Sequence, residues 1–166
     1  MSKISPCLWF DGRAEEAAEL YTSLFPDSRI DKVNRSPADN PSTPAGAVLT
    51  VEFTLAGRPF IGLNGGPQFQ FSEAVSFSID CEDQAEVDRY WERLIEGGGE
   101  PSQCGWLKDR FGVSWQVIPR QLNEVLNGPD REGAARAMNA MLEMSKLDVA
   151  TLEAAYAGEA VAAPGA

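Results

Sequence analysis

The side chains that could take part in chemistry are few in this sequence, and histidine is absent from it altogether. Without imidazole there is no Ser-His-Asp or Cys-His unit, and zinc sites built on histidine are excluded. Two residues stay as catalytic candidates. Glu52 lies between Thr50 and Thr54 on the polar face of a predicted strand, and enclosure of that face would make it the best general base available. Cys104 would be a reactive thiol if a cation stabilised its thiolate, and Lys108 is the nearest cation in the sequence.

Both candidates also have a structural interpretation. Glu52 and its neighbouring hydroxyls would then be solvated or lie in a contact between subunits, and Cys104 would be a buried, inert thiol. By strand phase, Cys7 is predicted to face the helix layer as part of the core. The three cysteines are widely spaced and form no Cys-x-x-Cys pair, which is typical of free thiols in a reducing compartment.

The charge balance excludes two classes of partner. Fourteen Lys and Arg residues stand against 25 Asp and Glu residues, which gives a net charge of −11 over 166 residues. Nucleic acids and anionic membrane surfaces both need a basic face, so neither is expected as a partner. No apolar run reaches the length of a membrane span, and the first residues lack a hydrophobic signal region. We therefore predict a cytoplasmic protein.

The elements that would position the candidate residues repeat after about seventy residues. In each copy an apolar strand, at residues 4–10 and 74–81, precedes an amphipathic helix with its buried stripe at i, i+3, i+4 and i+7. A uniform shift of seventy residues superimposes the two stripes, and it predicts that the preceding strands align under the same shift. Pro26 ends the first helix, and Asp83 with Glu86 forms an acidic capping box at the second.

Strands are predicted after each of these helices. Residues 48–55 alternate strictly between apolar and polar side chains and turn into a strand at residues 59–63, while residues 29–34 supply a further strand in the first half. In the second half, strands at residues 103–108 and 113–118 flank an Asp-x-x-Gly turn. Each half is therefore predicted to contain a strand, a helix and then more strands.

Short helices are predicted to follow the second half. Leu122 lies in a short helix, Pro129 opens another from a first-turn position, and Asp148 caps a third. The paired modules thus fill residues 1–120, at about 3–64 and 74–119. A C-terminal helical extension is expected over residues 121–157 and a disordered tail over residues 158–166.

Four stretches within this doubled βαβββ pattern resemble one branch of a known superfamily. They are residues 8–17 (LWFDGRAEEA), 60–67 (FIGLNGGP), 86–91 (EVDRYW) and 103–116 (QCGWLKDRFGVSWQ). Together they resemble the PhnB-like branch, the 3-demethylubiquinone-9 3-methyltransferase domain, of the vicinal-oxygen-chelate or glyoxalase/bleomycin-resistance superfamily. The resemblance implies an α+β fold in which tandem βαβββ modules form a curled mixed sheet around a cavity. The helices would lie outside, and the protein would be a homodimer.

The resemblance also locates the positions at which the superfamily's metal enzymes place His or Glu ligands. These positions fall on Pro6, Ser76, Gln116 and a position near residues 61–64, and none of them is His, Glu, Asp or Cys. Such a set leaves the charge of a divalent ion without neutralisation. We therefore predict no metal ligands and no cofactor, with a divalent metal as the open alternative.

Strand alternation selects the side chains that would face a ligand. In residues 74–80 the apolar side chains would face the helices and leave Ser76 and Ser78 toward the concave side. In the last strand Trp115 and Val117 would pack, which turns Gln116 inward. The predicted ligand-binding residues are Glu52, Asn64, Ser76, Ser78, Trp106 and Gln116.

Two functions from different classes fit these observations. The first is a homodimer that binds a small, partly apolar molecule in the sheet cavity without the usual metal. The second is a lyase- or dioxygenase-type enzyme that uses a divalent metal, Glu52 or Cys104. A methyltransferase is not favoured, because the nearest glycine pair, Gly65-Gly66, leads into Pro67 and Phe69 and not into a helix. Whether the protein is an enzyme stays open.

Overall fold

Eight strands and five helices follow one another in residues 3–159, the part of the chain that the computed structural model describes. Two βαβββ modules come first and three helices follow them, which confirms the predicted α+β class. The chain forms two compact units, of which one ends at Phe71 and the other begins at Ser72. The strands are β1 Cys7–Phe10, β2 Arg29–Arg35, β3 Val48–Leu55, β4 Arg58–Asn64, β5 Phe77–Cys81, β6 Glu100–Pro101, β7 Trp106–Lys108 and β8 Ser114–Pro119. The helices are α1 Ala14–Leu24, α2 Gln84–Ile95, α3 Arg120–Leu126, α4 Arg131–Leu142 and α5 Val149–Ala157.

In the first unit, α1 covers one face of a four-stranded sheet with the order β1-β4-β3-β2. β1 runs parallel to β4, and the other neighbours are antiparallel. Because side chains alternate along each strand, Leu8 and Phe10 on β1 and Val51, Phe53 and Leu55 on β3 are buried beneath the helix. Gly62 on β4 allows the helix to approach closely, since a Cβ there would lie 3.2 Å from the Ala14 Cβ.

The second unit repeats this topology in a sheet with the order β5-β8-β7-β6. Ile79, Trp115 and Val117 are buried on the side of α2. The three C-terminal helices belong to the same unit and share a cluster formed by Leu122, Val125, Ala137, Met144, Leu147 and Leu152. No helix in residues 3–159 is long and apolar enough to cross a membrane.

The two modules differ by one residue at the junction between the first strand and the helix. The buried helix residues Ala17 and Val87 obey the shift of seventy, but the strand residues that face the helices, Leu8 and Ile79, obey a shift one residue longer. The strand pairing agrees with the longer shift. Leu8 lies beside Gly62 of β4, and Ile79 lies beside Val117, the matching residue of β8. The prediction of one uniform shift is therefore wrong for the strands.

The extra residue lies in the turn between β1 and α1. This turn contains Gly12 in the left-handed region at φ +76, which glycine adopts without steric penalty. Because side chains alternate along a strand, a slip of one residue turns each of them to the opposite face. Cys7 is therefore exposed, and the prediction that it belongs to the core is wrong.

Other boundaries were predicted with mixed success. The strand at residues 48–55 and the caps at Asp83 and Asp148 are confirmed. The strand predicted at residues 103–108 begins only at Trp106, and β6 was not anticipated. Pro129 does not open α4, because Asp130 is its N-cap and accepts from the Glu132 N–H at 3.0 Å. The predicted tail lies outside the described residues from position 160 onward.

Candidate functional site

The polar face of the second sheet, meaning the side opposite α2, carries four of the six predicted ligand-binding residues. Trp115 and Val117 are buried toward α2, so Ser114 and Gln116 point to the other side. In the pairing register Gln116 lies between Ser78 on β5 and Trp106 on β7. Sequence alternation therefore placed these side chains on one surface, and their ligand-binding role stays a prediction.

A hydrogen bond joins two of the positions at which the superfamily's metal enzymes have ligands. The Gln116 Nε2 donates to the Ser76 Oγ at 2.9 Å. By the strand pairing, the counterpart of Gln116 in the first unit is Ile61, and the longer strand shift makes Ser5, not Pro6, the counterpart of Ser76. These positions offer two hydroxyls, one amide and one hydrocarbon side chain.

Neither the pair in the first unit, Ser5 and Ile61, nor the pair in the second, Ser76 and Gln116, fits a divalent cation. Such an ion prefers carboxylate, imidazole or thiolate ligands, which neutralise its charge or bind it strongly. Within residues 3–159 no group of three His, Cys, Asp or Glu side chains could hold a metal ion. The residues present are suited instead to neutral hydrogen bonding.

Glu52, the catalytic candidate of the first unit, lies on the exposed side of β3. Its Oε1 accepts a hydrogen bond of 3.0 Å from the Asn34 Nδ2, which also donates to the Thr50 Oγ1 at 3.1 Å. Lys32 lies opposite Glu52 in the register of β2 and β3. Within residues 3–159 this carboxylate is exposed, and its general-base role, which depends on enclosure, stays a prediction.

Asn64 holds the start of α1. The side chain is buried, its Oδ1 accepts from the Ala14 N–H, and its Nδ2 donates to the Val48 carbonyl, both at 2.9 Å. It points to the helix side of its sheet, whereas Ile61 and Leu63 point to the opposite side. These contacts give the predicted ligand-binding residue a structural task that only the folded chain reveals.

Cys104, the second catalytic candidate, lies in a strained turn before β7. Its backbone has φ +56, which is uncommon for a residue with a side chain. The Cys104 and Gly105 N–H groups donate to the carbonyls of Met144 and Ser145, each at 2.8 Å, so the C-terminal extension fixes this turn. The Lys108 ammonium forms an ion pair with Glu73. No cation is thus assigned to the Cys104 thiol by these contacts.

The other two thiols differ in their surroundings. Burial raises the pKa of Cys81 to about 12, which keeps this thiol protonated and unreactive at neutral pH. Cys7 is exposed, yet desolvation by neighbouring atoms raises the pKa of its thiol as well. Burial dominates the pKa of both thiols, so neither is activated as a nucleophile.

A small pocket of about 120 Å³ opens at the edge of the second sheet, beside the polar face. Trp106, Lys108 and Ser114 contribute to it from β7 and β8, and Glu100 from the edge strand β6. The sequence leaves open whether Trp106 lines a pocket or packs; in the structure it borders this pocket, and its ligand-binding role stays a prediction. Glu73 and Glu100 were missed, because nothing in the sequence around them indicates that they approach Lys108.

Comparison with known proteins agrees with the resemblance seen in the sequence. The family model described as 3-demethylubiquinone-9 3-methyltransferase matches residues 2–118. The chain belongs to this family. Its C-terminal extension, from α3 onward, lies beyond the matched residues.

Solved structures support the same assignment. A PhnB protein from Bacillus cereus is 34% identical, with 71% of this chain and 99% of that chain covered and a TM-score of 0.64. Protein PA1353 from Pseudomonas aeruginosa is 21% identical over 72% of this chain and 98% of that chain, with a TM-score of 0.59. The fosfomycin resistance protein FosX from Listeria monocytogenes is 15% identical over 75% and 97%, with a TM-score of 0.50.

The last two likenesses concern the fold alone. No curated protein matches the chain.

Proposed function

We propose that this PhnB-like protein binds a small, partly apolar molecule at the polar face of the second sheet, as a homodimer and without a metal ion. The hydrogen bond between Gln116 and Ser76 carries the proposal. An amide and a hydroxyl, already bonded to each other, stand at positions that the superfamily's metal enzymes give to charged or imidazole ligands. The surface is therefore equipped for neutral recognition.

Ligand contacts follow from the arrangement of this face. A primary amide carries two N–H donors and a carbonyl acceptor, so Gln116 keeps one donor and its Oε1 for a ligand after bonding to Ser76. Trp106 lies directly across from Gln116 and is only partly buried. An indole beside a few polar groups is typical of sites that bind compact organic molecules.

The homodimer is an expectation from the resemblance. Exposed apolar side chains in both units, namely Ile4 and Phe69 in the first and Val75 in the second, are surfaces that a second copy would cover. A cytoplasmic location stays a prediction as well. The widely spaced cysteines favour it, because free thiols are typical of a reducing compartment.

The methyltransferase in the family's description is not part of the proposal. Gly65 and Gly66 follow β4, as a phosphate-binding loop would, but the next helix is α2, which begins at Gln84. A glycine-rich loop binds phosphate through the N–H groups of the helix that immediately follows it. This chain has no such helix there.

Native mass spectrometry of gently purified protein tests the proposal. We expect a dimer without added metal mass, and any organic adduct should dissociate when the protein is denatured. Replacing Gln116 with Leu, which keeps most of the volume and removes the amide, should weaken retention of such an adduct at least tenfold. Glu19→Gln, on the exposed side of α1, is the control. One metal ion per subunit would contradict the proposal.

A further inference from the structure

The edge pocket is lined in part by a buried serine whose hydroxyl has no hydrogen-bond partner within residues 3–159. Ser114 is 2% exposed, and its Oγ makes no hydrogen bond within the described part of the chain. Lys108 lies opposite Ser114 in the register of β7 and β8, on the side away from α2. A buried polar group without a partner is unfavourable, and because this oxygen is closed off in the structure, a molecule in the pocket would reach it after a small rotation of the Ser114 side chain.

The charges around the pocket indicate which charge a bound molecule should carry. The Lys108 ammonium forms an ion pair with Glu73, and Glu100 lies opposite Lys108 in the register of β6 and β7. Two carboxylates and one ammonium therefore line the same small space. Their net charge is negative, and it favours an occupant with one positive charge.

The size and the aromatic wall restrict the occupant further. A cavity of roughly 150 Å³ accommodates benzene, so this smaller pocket of about 120 Å³ accepts a molecule or head group of similar or smaller size. Trp106 supplies an indole, the aromatic group that attracts cations most strongly. The space suits a short alkylammonium or guanidinium group.

The C-terminal extension holds one wall of the pocket in place. The Ser145 hydroxyl donates to the Ser102 carbonyl, and the Ser102 N–H donates to the Trp106 carbonyl at 2.8 Å. Ser102 belongs to the pocket wall, whereas Ser145 lies between α4 and α5, beyond the residues that the family model matches. A hydrogen bond therefore joins the pocket wall to a segment that the family model does not match.

We propose that the edge pocket binds a compact organic monocation with N–H donors. One N–H group would donate to the Ser114 Oγ, and Glu100 would balance the charge. The inference rests on the proposed function, because Trp106 borders both the polar face and the pocket, and it adds a cationic group to the ligand whose uncharged part the polar face would bind.

A titration of the full-length protein with methylguanidinium chloride at constant ionic strength tests the inference. The readout is the indole N–H signal of Trp106 in a ¹H–¹⁵N spectrum, assigned through the Trp106→Phe variant. We expect a saturable shift. N-methylurea, which has nearly the same shape without charge, and tetramethylammonium, which has charge without N–H donors, should bind at least tenfold more weakly. Equal affinity for N-methylurea would overturn the inference.

Two variants distinguish the proposed pocket contacts from general effects on stability and net charge. Ser114→Ala should leave the melting temperature unchanged or higher, since it removes an unpartnered hydroxyl, and should weaken methylguanidinium binding at least tenfold. Glu100→Gln should weaken binding similarly, whereas Glu124→Gln on α3 changes the net charge equally and should have no effect. A lower melting temperature of Ser114→Ala, or unchanged affinity in both pocket variants, would refute the proposed contacts.

The Gln116→Leu variant distinguishes this inference from the proposed function. If it loses the adduct of the purified protein but still binds methylguanidinium, both proposals are supported. If methylguanidinium fails to bind to the unaltered protein while the adduct depends on Gln116, only the pocket inference is wrong. Adduct retention that is independent of Gln116, together with methylguanidinium binding that depends on Ser114, would mean that only the proposed function is wrong.

Discussion

The two βαβββ modules begin their helices in different ways. In the second module the cap is local, because the Asp83 carboxylate accepts from the Glu86 N–H and the Glu86 carboxylate accepts from the Glu82 N–H, both at 2.9 Å. In the first module the N-cap residue Arg13 makes no such bond. Asn64, fifty residues away on the last strand of the module, accepts from the Ala14 N–H instead.

This difference changes what each helix requires before it forms. The cap of α2 is available as soon as residues 82–86 adopt their turn, so it needs no other part of the chain. The cap of α1 exists only after β4 has paired with β1 and β3 and has placed Asn64 beneath the helix. The same topology is therefore compatible with one self-contained helix start and one that depends on the sheet.

Replacing Asn64 with Ala should have the largest effect on stability. The change leaves the Ala14 N–H and the Val48 carbonyl without their partner in a buried region, and we expect a loss of about 2–4 kcal/mol in the free energy of unfolding. Urea denaturation followed by circular dichroism measures it. Asn64→Asp keeps the acceptor for Ala14 and should recover part of the loss. A loss below that of the next variant would contradict the difference between the two caps.

Asp83→Ala should have an intermediate effect. It removes one local N-cap bond at a site where water can reach the freed N–H, so the expected loss is about 1 kcal/mol in the same denaturation experiment. Asp83→Asn and Asp83→Ser, both good N-cap residues, should restore most of it. If neither restores stability, the capping bond is not what Asp83 contributes.

Asp88→Asn should have the smallest effect and should be visible mainly in acid. The hydrogen bond from the Lys146 ammonium lowers the pKa of Asp88 below its ordinary value, so the unfolded chain takes up this proton before the folded one. The stability that the pair contributes is present above the unfolded pKa near 4 and is lost as the pH falls through the folded pKa. Because both side chains are partly exposed, this contribution is about 0.3–1 kcal/mol.

Denaturation at pH 7 and at pH 2.5 measures this effect. The difference in stability between the unaltered protein and Asp88→Asn should be present at pH 7 and should shrink in acid. Asp11→Asn, at an exposed position of the first unit, is the matched control. An equal difference at both pH values would show that the charge of Asp88 is not involved.

Much of the fold could be predicted where the signal is local. Strict alternation located β3, and the Asp83 cap located the start of α2. The sequence does not show which side chains of β1 face the helix, because one additional residue in the turn that follows reverses the two faces of the strand. β6 is only two residues long, which is too short for an alternating pattern. Its pairing with β7 is set by the folded sheet.

The candidate site was predictable to the extent that alternation determines it. Ser76, Ser78 and Gln116 share a face because each alternates with apolar residues along one of two adjacent strands. The structural role of Asn64 could not be predicted, because its contacts with α1 and β3 leave no trace in the neighbouring sequence. The pairing of Glu73 with Lys108 joins residues from separate segments, and the sequence gives no indication of it.

The extra residue beside Gly12 also restricts how the two halves could be recombined. A chimera that replaced residues 7–10 with residues 77–80, as a uniform shift of seventy aligns them, would place Ser78 and Asp80 where Leu8 and Phe10 are buried and would turn Ile79 to the other face. A graft of residues 78–81 follows the longer shift and keeps Ile79 and Cys81 beneath the helix. Any exchange between the two halves must therefore place its junction according to the phase of the strand.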